Sequence, residues 1–104
     1  MSQVLKGIRV LDFGRYIAGP FCGTLLADMG AEVIRIEKVD GSEDRFLTPI
    51  SDTGEGGTFM QLARNKLGMT LNPMKPEGRE IVKKLVAAAD VVIANLPPDT
   101  LKTM

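Results

Sequence analysis

The residues best placed to do chemistry are concentrated in the decapeptide GRYIAGPFCG at 14–23. Gly14, Gly19 and Gly23 give the spacing G-x4-G-x3-G, which departs from the G-x-G-x-x-G of dinucleotide-binding turns. Between a strand and a helix, such a turn aims backbone N–H groups and the positive end of a helix dipole at one place, where a phosphate or another anion is stabilised. The same glycines would serve tight turning and helix–strand packing equally well. Lys38 could meet a phosphate or stand as an ordinary exposed lysine. Arg64 and Lys66 add charge further along and suit either a phosphate contact or solvation. Glu37 could accept a ribose hydroxyl, as in a dehydrogenase, or be a solvated strand end. Cys22 sits near a helix start, which can lower a thiol pKa, but beside Pro20 and Phe21 a buried structural cysteine is expected. Glu43 and Asp44 beside Arg45 read as a loop ion pair of little energetic worth.

Composition removes several kinds of chemistry. The chain has no histidine, so no histidine base acts from within it, and its single cysteine can form neither an internal disulfide nor a Cys/His zinc site. Thirteen Lys plus Arg balance thirteen Asp plus Glu; nucleic acid, which is bound largely through phosphates and demands a basic surplus, is not an expected partner. No stretch approaches the roughly 18 apolar residues of a membrane span, and residues 1–6 lack signal-peptide character. A reduced, cytoplasmic protein is expected. At 104 residues and 44% hydrophobic content one modest core is the ceiling.

The elements that must position these residues follow from changes in apolar period. Residues 8–13 (IRVLDF) form a short β-branched and aromatic run bounded by Gly7 and Gly14, suited to a strand buried on both faces. From Pro20 to Met29 the spacing is helical, with Phe21, Thr24, Leu25 and Asp28 in phase and Gly30 as the stop. Residues 32–37 (EVIRIE) alternate as a strand. This strand–helix–strand unit has the size of a right-handed βαβ crossover. A long glycine-rich loop follows over about 39–58, a candidate binding lid or disordered segment. A short helix at 59–65, a strand at 68–71, a helix at 76–88 with Ile81, Val82, Leu85 and Val86 inward and Lys83 and Lys84 outward, and a strand at 91–94 complete the reading. Met29, Met60, Met69 and Met74 are expected as core filler. The fold class is α/β, a Rossmann-like open and mostly parallel sheet with flanking helices, in which ligands sit at the C-terminal strand ends.

The order of these segments resembles the N-terminal part of the family III CoA-transferases, the group of formyl-CoA transferase, carnitine CoA-transferase and α-methylacyl-CoA racemase. The resemblance rests on LKGIRVLDFGRYIAGPFCGTLLADMGAEVIRIEK at 5–38, NKLGMTLN at 65–72 and EGREIVKKLVAAADVVIANL at 77–96. It implies a Rossmann-like, CoA-binding portion of a larger subunit, with two subunits interlocked as a homodimer and no permanently bound cofactor. Its substrates would be an acyl-CoA and a carboxylic acid, exchanged when an aspartate attacks the thioester. An acyl-aspartyl anhydride and free CoA thiolate form first, then an aspartyl-CoA thioester that passes CoA to the acceptor. The family's nucleophile lies beyond position 104, so no catalytic residue is assigned among these positions, and the 104-residue chain is expected to be inactive alone. Carried over position by position, the resemblance places Tyr16 and Ile17 at the thioester and pantetheine end, Lys38 at the adenosine end, and Leu71, Asn95 and Leu96 over the nucleotide.

Leu96, Pro97, Pro98 and Asp99 replace the family's aromatic–basic–proline–glycine run, which removes a basic residue from that place, and Leu67 replaces a small or basic residue. Three alternatives stay open: an acyl-CoA racemase of the same family, whose histidine and aspartate would lie elsewhere, a nucleotide-binding oxidoreductase module, and a non-enzymatic interaction module. The final residues 100–104 (TLKTM) read as the start of a helix. Two helices covering a four-strand sheet should leave apolar surface exposed and the chain prone to self-association.

Overall fold

The computed structural model describes residues 3–47, 50–52, 54 and 56–104. Four parallel strands make one sheet: β1 (Arg9–Asp12), β2 (Glu32–Glu37), β3 (Leu67–Thr70) and β4 (Val91–Ile93), in the order β3-β2-β1-β4. Among the described residues the helices are α1 (Ala18–Asp28), α2 (Gly57–Leu62), α3 (Pro76–Ala87) and α4 (Pro98–Thr103), with a 3-10 turn at Glu43–Phe46. β2 runs over the residues its alternation predicts. The other elements lie within three residues of their expected ends, and the loop after β2 carries the 3-10 turn. No helix among the described residues is long and apolar enough to cross a membrane.

Strand alternation divides the core into two layers. Val10, Ala27, Ala31 and Val33 pack on the α1 side, while Leu11, Phe13, Ile36 and Leu71 pack on the other with Val82, Leu85, Leu96 and Met104. α1 ends where Gly30 adopts φ +104° and its N–H bonds the Ala27 carbonyl, the left-handed helix stop that glycine takes without steric cost. The strand order reverses at β1, with β2 and β3 to one side and β4 to the other. In open α/β sheets this is the place where the strand ends part to form a crevice.

Several packing expectations are corrected. The buried face of α1 is Gly19, Pro20, Gly23, Thr24 and Ala27: small residues bring the helix close to the sheet, which turns Phe21, Leu25 and Met29 outward. Cys22 is exposed, because it lies about 100° round the helix from Gly23. Met60 and Met74 are also exposed, and of the four methionines expected as core filler Met69 is the one packed against the core. On α3, Val82 and Leu85 pack inward, whereas Ile81 and Val86 stay open. The apolar surface expected to remain uncovered is therefore present, with Ile17, Phe21, Leu25 and Met29 following one another at i, i+4 along α1.

Candidate functional site

A cavity of about 740 Å³ opens at the C-terminal ends of β1, β2 and β4, at the reversal of strand order. Its size and mainly apolar lining suit a small organic molecule. All six sequence-predicted site residues line it: Tyr16 and Ile17 from the turn after β1, Lys38 after β2, Leu71 after β3, and Asn95 and Leu96 after β4. Four separate stretches of chain are thus brought to one place. The sequence reading missed Arg15, Glu43, the run Asn72–Met74, Thr100 and Met104, which also line it. Of these, Arg15 carried a signal, as a basic residue inside the glycine turn.

The turn between β1 and α1 is held from several sides. A Cβ on either Gly14 or Gly19 would fall 2.7 Å from the other's Cα, so both must be glycine for β1 and α1 to meet there. The Gly14 N–H donates to Asp12 Oδ1 at 2.8 Å. The Arg15 guanidinium folds back, its Nη1 donating to the Phe13 and Gly14 carbonyls at 2.9 and 2.8 Å and lying 3.3 Å from the Ile36 carbonyl. It thereby ties the ends of β1 and β2.

Beneath the turn lies an ion pair. Lys66 Nζ stands 2.7 Å from Asp12 Oδ2 and donates to the Pro20 carbonyl at 2.9 Å, and the two side chains are 1% and 0% exposed. Lys66 is therefore neither solvated nor turned to a ligand. The absence of a side chain at Gly23, whose Cβ would lie 2.9 Å from Asp12 Oδ2, makes room for the pair. Arg64, by contrast, is exposed and ion-paired with Asp28 at 2.8 Å.

A second charged cluster stiffens the loop after β2 and corrects two further expectations. Glu37 is a buried carboxylate: Arg45 grips it with Nη2 at 2.7 Å and Nε at 2.8 Å, and the Ser42 N–H donates to it at 3.3 Å. Burial alone would raise its pKa, but the Arg45 and Ser42 hydrogen bonds and the charges of Arg35 and Arg45 outweigh this and hold the carboxyl below its ordinary range. Asp44, far from being an exposed loop charge, is buried against Arg35 Nη2 at 2.7 and 2.8 Å. The Phe59 ring lies 4.1 Å from the Arg45 guanidinium carbon and 5.2 Å from that of Arg35, within cation–π range of both. Alternation along β2 puts Arg35 and Glu37 on one side, so loop charges meet strand charges.

At the cavity mouth Lys38 Nζ donates to Glu43 at 2.8 Å, with both side chains about half exposed. That hydrogen bond is the main cause of a lowered Glu43 pKa. Among the seven aspartates none lines the cavity. Asp12, Asp28 and Asp44 are ion-paired, and Asp90 accepts the Arg9 N–H at 2.9 Å.

A family model described as CoA-transferase family III matches residues 5–104. The beta subunit of the succinyl-CoA–L-malate CoA-transferase of Chloroflexus aurantiacus is 43% identical over 100 residues, covering 94% of this chain and 24% of that protein. The succinyl-CoA:glutarate CoA-transferase of Mus musculus is 40% identical over 101 residues, 96% of this chain and 23% of that one. Among solved structures, Rv3272 from Mycobacterium tuberculosis superposes with a TM-score of 0.87 at 34% identity, over 97% of this chain and 28% of that chain. A CAIB/BAIF family protein from Brucella suis gives 0.80 at 35% identity, over 88% and 25%. The chain spans about a quarter of the length of these relatives.

Proposed function

We propose that this chain, which belongs to CoA-transferase family III, is the N-terminal Rossmann-like portion of an acyl-CoA transferase and holds the CoA moiety in the cavity at its strand ends. One observation carries the reading: Tyr16, Ile17, Lys38, Leu71, Asn95 and Leu96, widely separated in sequence, line a single cavity. Tyr16 and Ile17 flank the thioester and pantetheine arm, whose apolar stretch suits their side chains. Lys38 meets a phosphate at the adenosine end, exchanging Glu43 for it, and Leu71 and Leu96 cover the nucleotide. CoA is a substrate here, and no resident cofactor is needed.

In the complete reaction CoA passes from an acyl-CoA to a carboxylic acid through an aspartyl anhydride and an aspartyl thioester. The attacking aspartate is supplied from outside these 104 residues, because the seven aspartates here lie off the cavity. The chain alone should therefore transfer no CoA. Racemisation is the weaker reading, since the curated relatives are named for CoA transfer. The outward stripe of Phe21, Leu25 and Met29 is compatible with burial in an interlocked homodimer, and the free Cys22 thiol suits a reduced, cytoplasmic setting.

Calorimetric titration with CoA and, separately, with NAD tests the assignment. Saturable binding of CoA and none of NAD is the expected result. Preference for NAD would return the chain to the oxidoreductase class, and binding of neither, together with strong self-association, to the interaction modules.

A further inference from the structure

The turn after β1 adopts a conformation that its own residues disfavour. Tyr16 has φ +63°, in the left-handed region where a Cβ crowds the following carbonyl. Strain of this kind persists only where the surroundings over-determine it. The restraint nearest to Tyr16 comes from the far side of the crevice. The Asn95 carboxamide, arriving just beyond the end of β4, closes two hydrogen bonds on the backbone of Arg15: Oδ1 accepts the Arg15 N–H at 2.8 Å, and Nδ2 donates to the Arg15 carbonyl at 3.0 Å. Asn95 thus imitates a neighbouring strand and fixes both peptide groups that border residue 15, the second of which leads directly into Tyr16. Gly19 leaves room for it, since a Cβ there would lie 2.7 Å from Asn95 Oδ1.

We propose that Asn95 is a positioning residue: its carboxamide clasps the Arg15 backbone, holds Tyr16 in the left-handed turn, and so shapes the wall that Tyr16 and Ile17 present to CoA. Its effect on binding passes through those two residues. Both the Oδ1 atom and one Nδ2 proton are already engaged without a ligand. The effect on CoA rests on the reading of the cavity given above, whereas the effect on Tyr16 does not.

The sequence supplies its own probe, with one tyrosine and no tryptophan. The tyrosine band of the near-UV circular dichroism and the tyrosine fluorescence of the chain therefore report Tyr16 alone. Asn95→Ala removes both bonds. Asn95→Asp keeps size and the bond to the Arg15 N–H but sets a second oxygen against the Arg15 carbonyl. Asn95 is exposed, so both variants should keep the far-UV spectrum of the parent; were Asn95→Ala to unfold, Asn95→Asp would carry the test. In both, without ligand, the Tyr16 band should weaken and fluorescence anisotropy fall, and CoA binding should weaken by roughly 5- to 30-fold. Weaker CoA binding with an unchanged Tyr16 signal would make Asn95 a direct contact and overturn the proposal, as would no change in either. Failure of the parent chain to bind CoA would defeat the functional reading while leaving the Tyr16 signal to decide the role of Asn95.

Discussion

Replacing Lys66 with alanine should be among the most damaging single changes to this chain. Its ammonium and the Asp12 carboxylate are 2.7 Å apart with almost no solvent contact, so the substitution leaves a buried carboxylate with the Gly14 N–H as its remaining hydrogen-bond partner. It also removes one of the two side-chain donors to the Pro20 carbonyl in the first turn of α1, leaving the Thr24 hydroxyl. Removing one partner of a buried pair costs about 3–5 kcal/mol, against a total stability of roughly 5–15 kcal/mol for a chain of this length. With a urea slope of about 2 kcal/mol per molar, the unfolding midpoint should fall by about 2 M. The double variant Asp12→Asn, Lys66→Met leaves no stranded charge and keeps an acceptor for the Gly14 N–H, so it should recover most of the loss. Urea unfolding followed by far-UV circular dichroism measures all three proteins. A loss below about 1 kcal/mol in Lys66→Ala, the behaviour of an exposed pair, or a double variant no better than the single one, would refute the argument.

Gly14→Ala puts a Cβ 2.7 Å from the Gly19 Cα and 2.8 Å from Asp12 Oδ1 and should cost about 1–3 kcal/mol by urea unfolding. The Glu37 carboxyl is held below its ordinary pKa of about 4.5. As pH falls through that value the unfolded chain takes up the proton first, so the stabilisation is complete above it and is lost progressively as pH falls through the lower folded value; Glu37→Gln should flatten this acid limb in a series of melts. Lys38→Ala should weaken CoA binding by about 1–2 kcal/mol if the ammonium meets a phosphate. Glu43→Gln, which releases Lys38 from its ion pair, should strengthen binding in the same titration, and a weakening there would show that Glu43 itself holds the ligand.

Much of the fold was legible because its signals are local. The alternation of 32–37, the β-branched run at 8–13 and the Pro-to-Ala helix at 76–87 each carry their period within a few residues. Leu71, Asn95 and Leu96 were legible only through resemblance to a family, since nothing in the residue types of Leu71 or Leu96 points to a ligand, whereas the glycine turn holding Tyr16 and Ile17 and the strand-end Lys38 also read as an anion site from the residues themselves. What local pattern could not give was pairing across distance. Lys66 and Asp12 are 54 residues apart, and no local pattern pairs a lysine before the third strand with an aspartate inside the first. Asp44 reads as a loop residue until the strand places Arg35 against it. Asn95 and Arg15 are 80 residues apart, and their bond depends on a strand order that no short window contains. The helical spacing of Phe21 and Leu25 did not say which face of α1 is buried; they turn outward because small residues, not large ones, let the helix sit close to a parallel sheet.

The central claim, that CoA occupies the cavity at the strand ends, is tested most directly by mapping it on 15N-labelled protein. Titration with CoA should shift the backbone amides of residues 14–18, 38, 71–72 and 95–96, while those near Gly7, Arg9 and Asp90 at the opposite ends of the strands stay in place. Shifts confined to that opposite edge, or none at millimolar CoA, would contradict it.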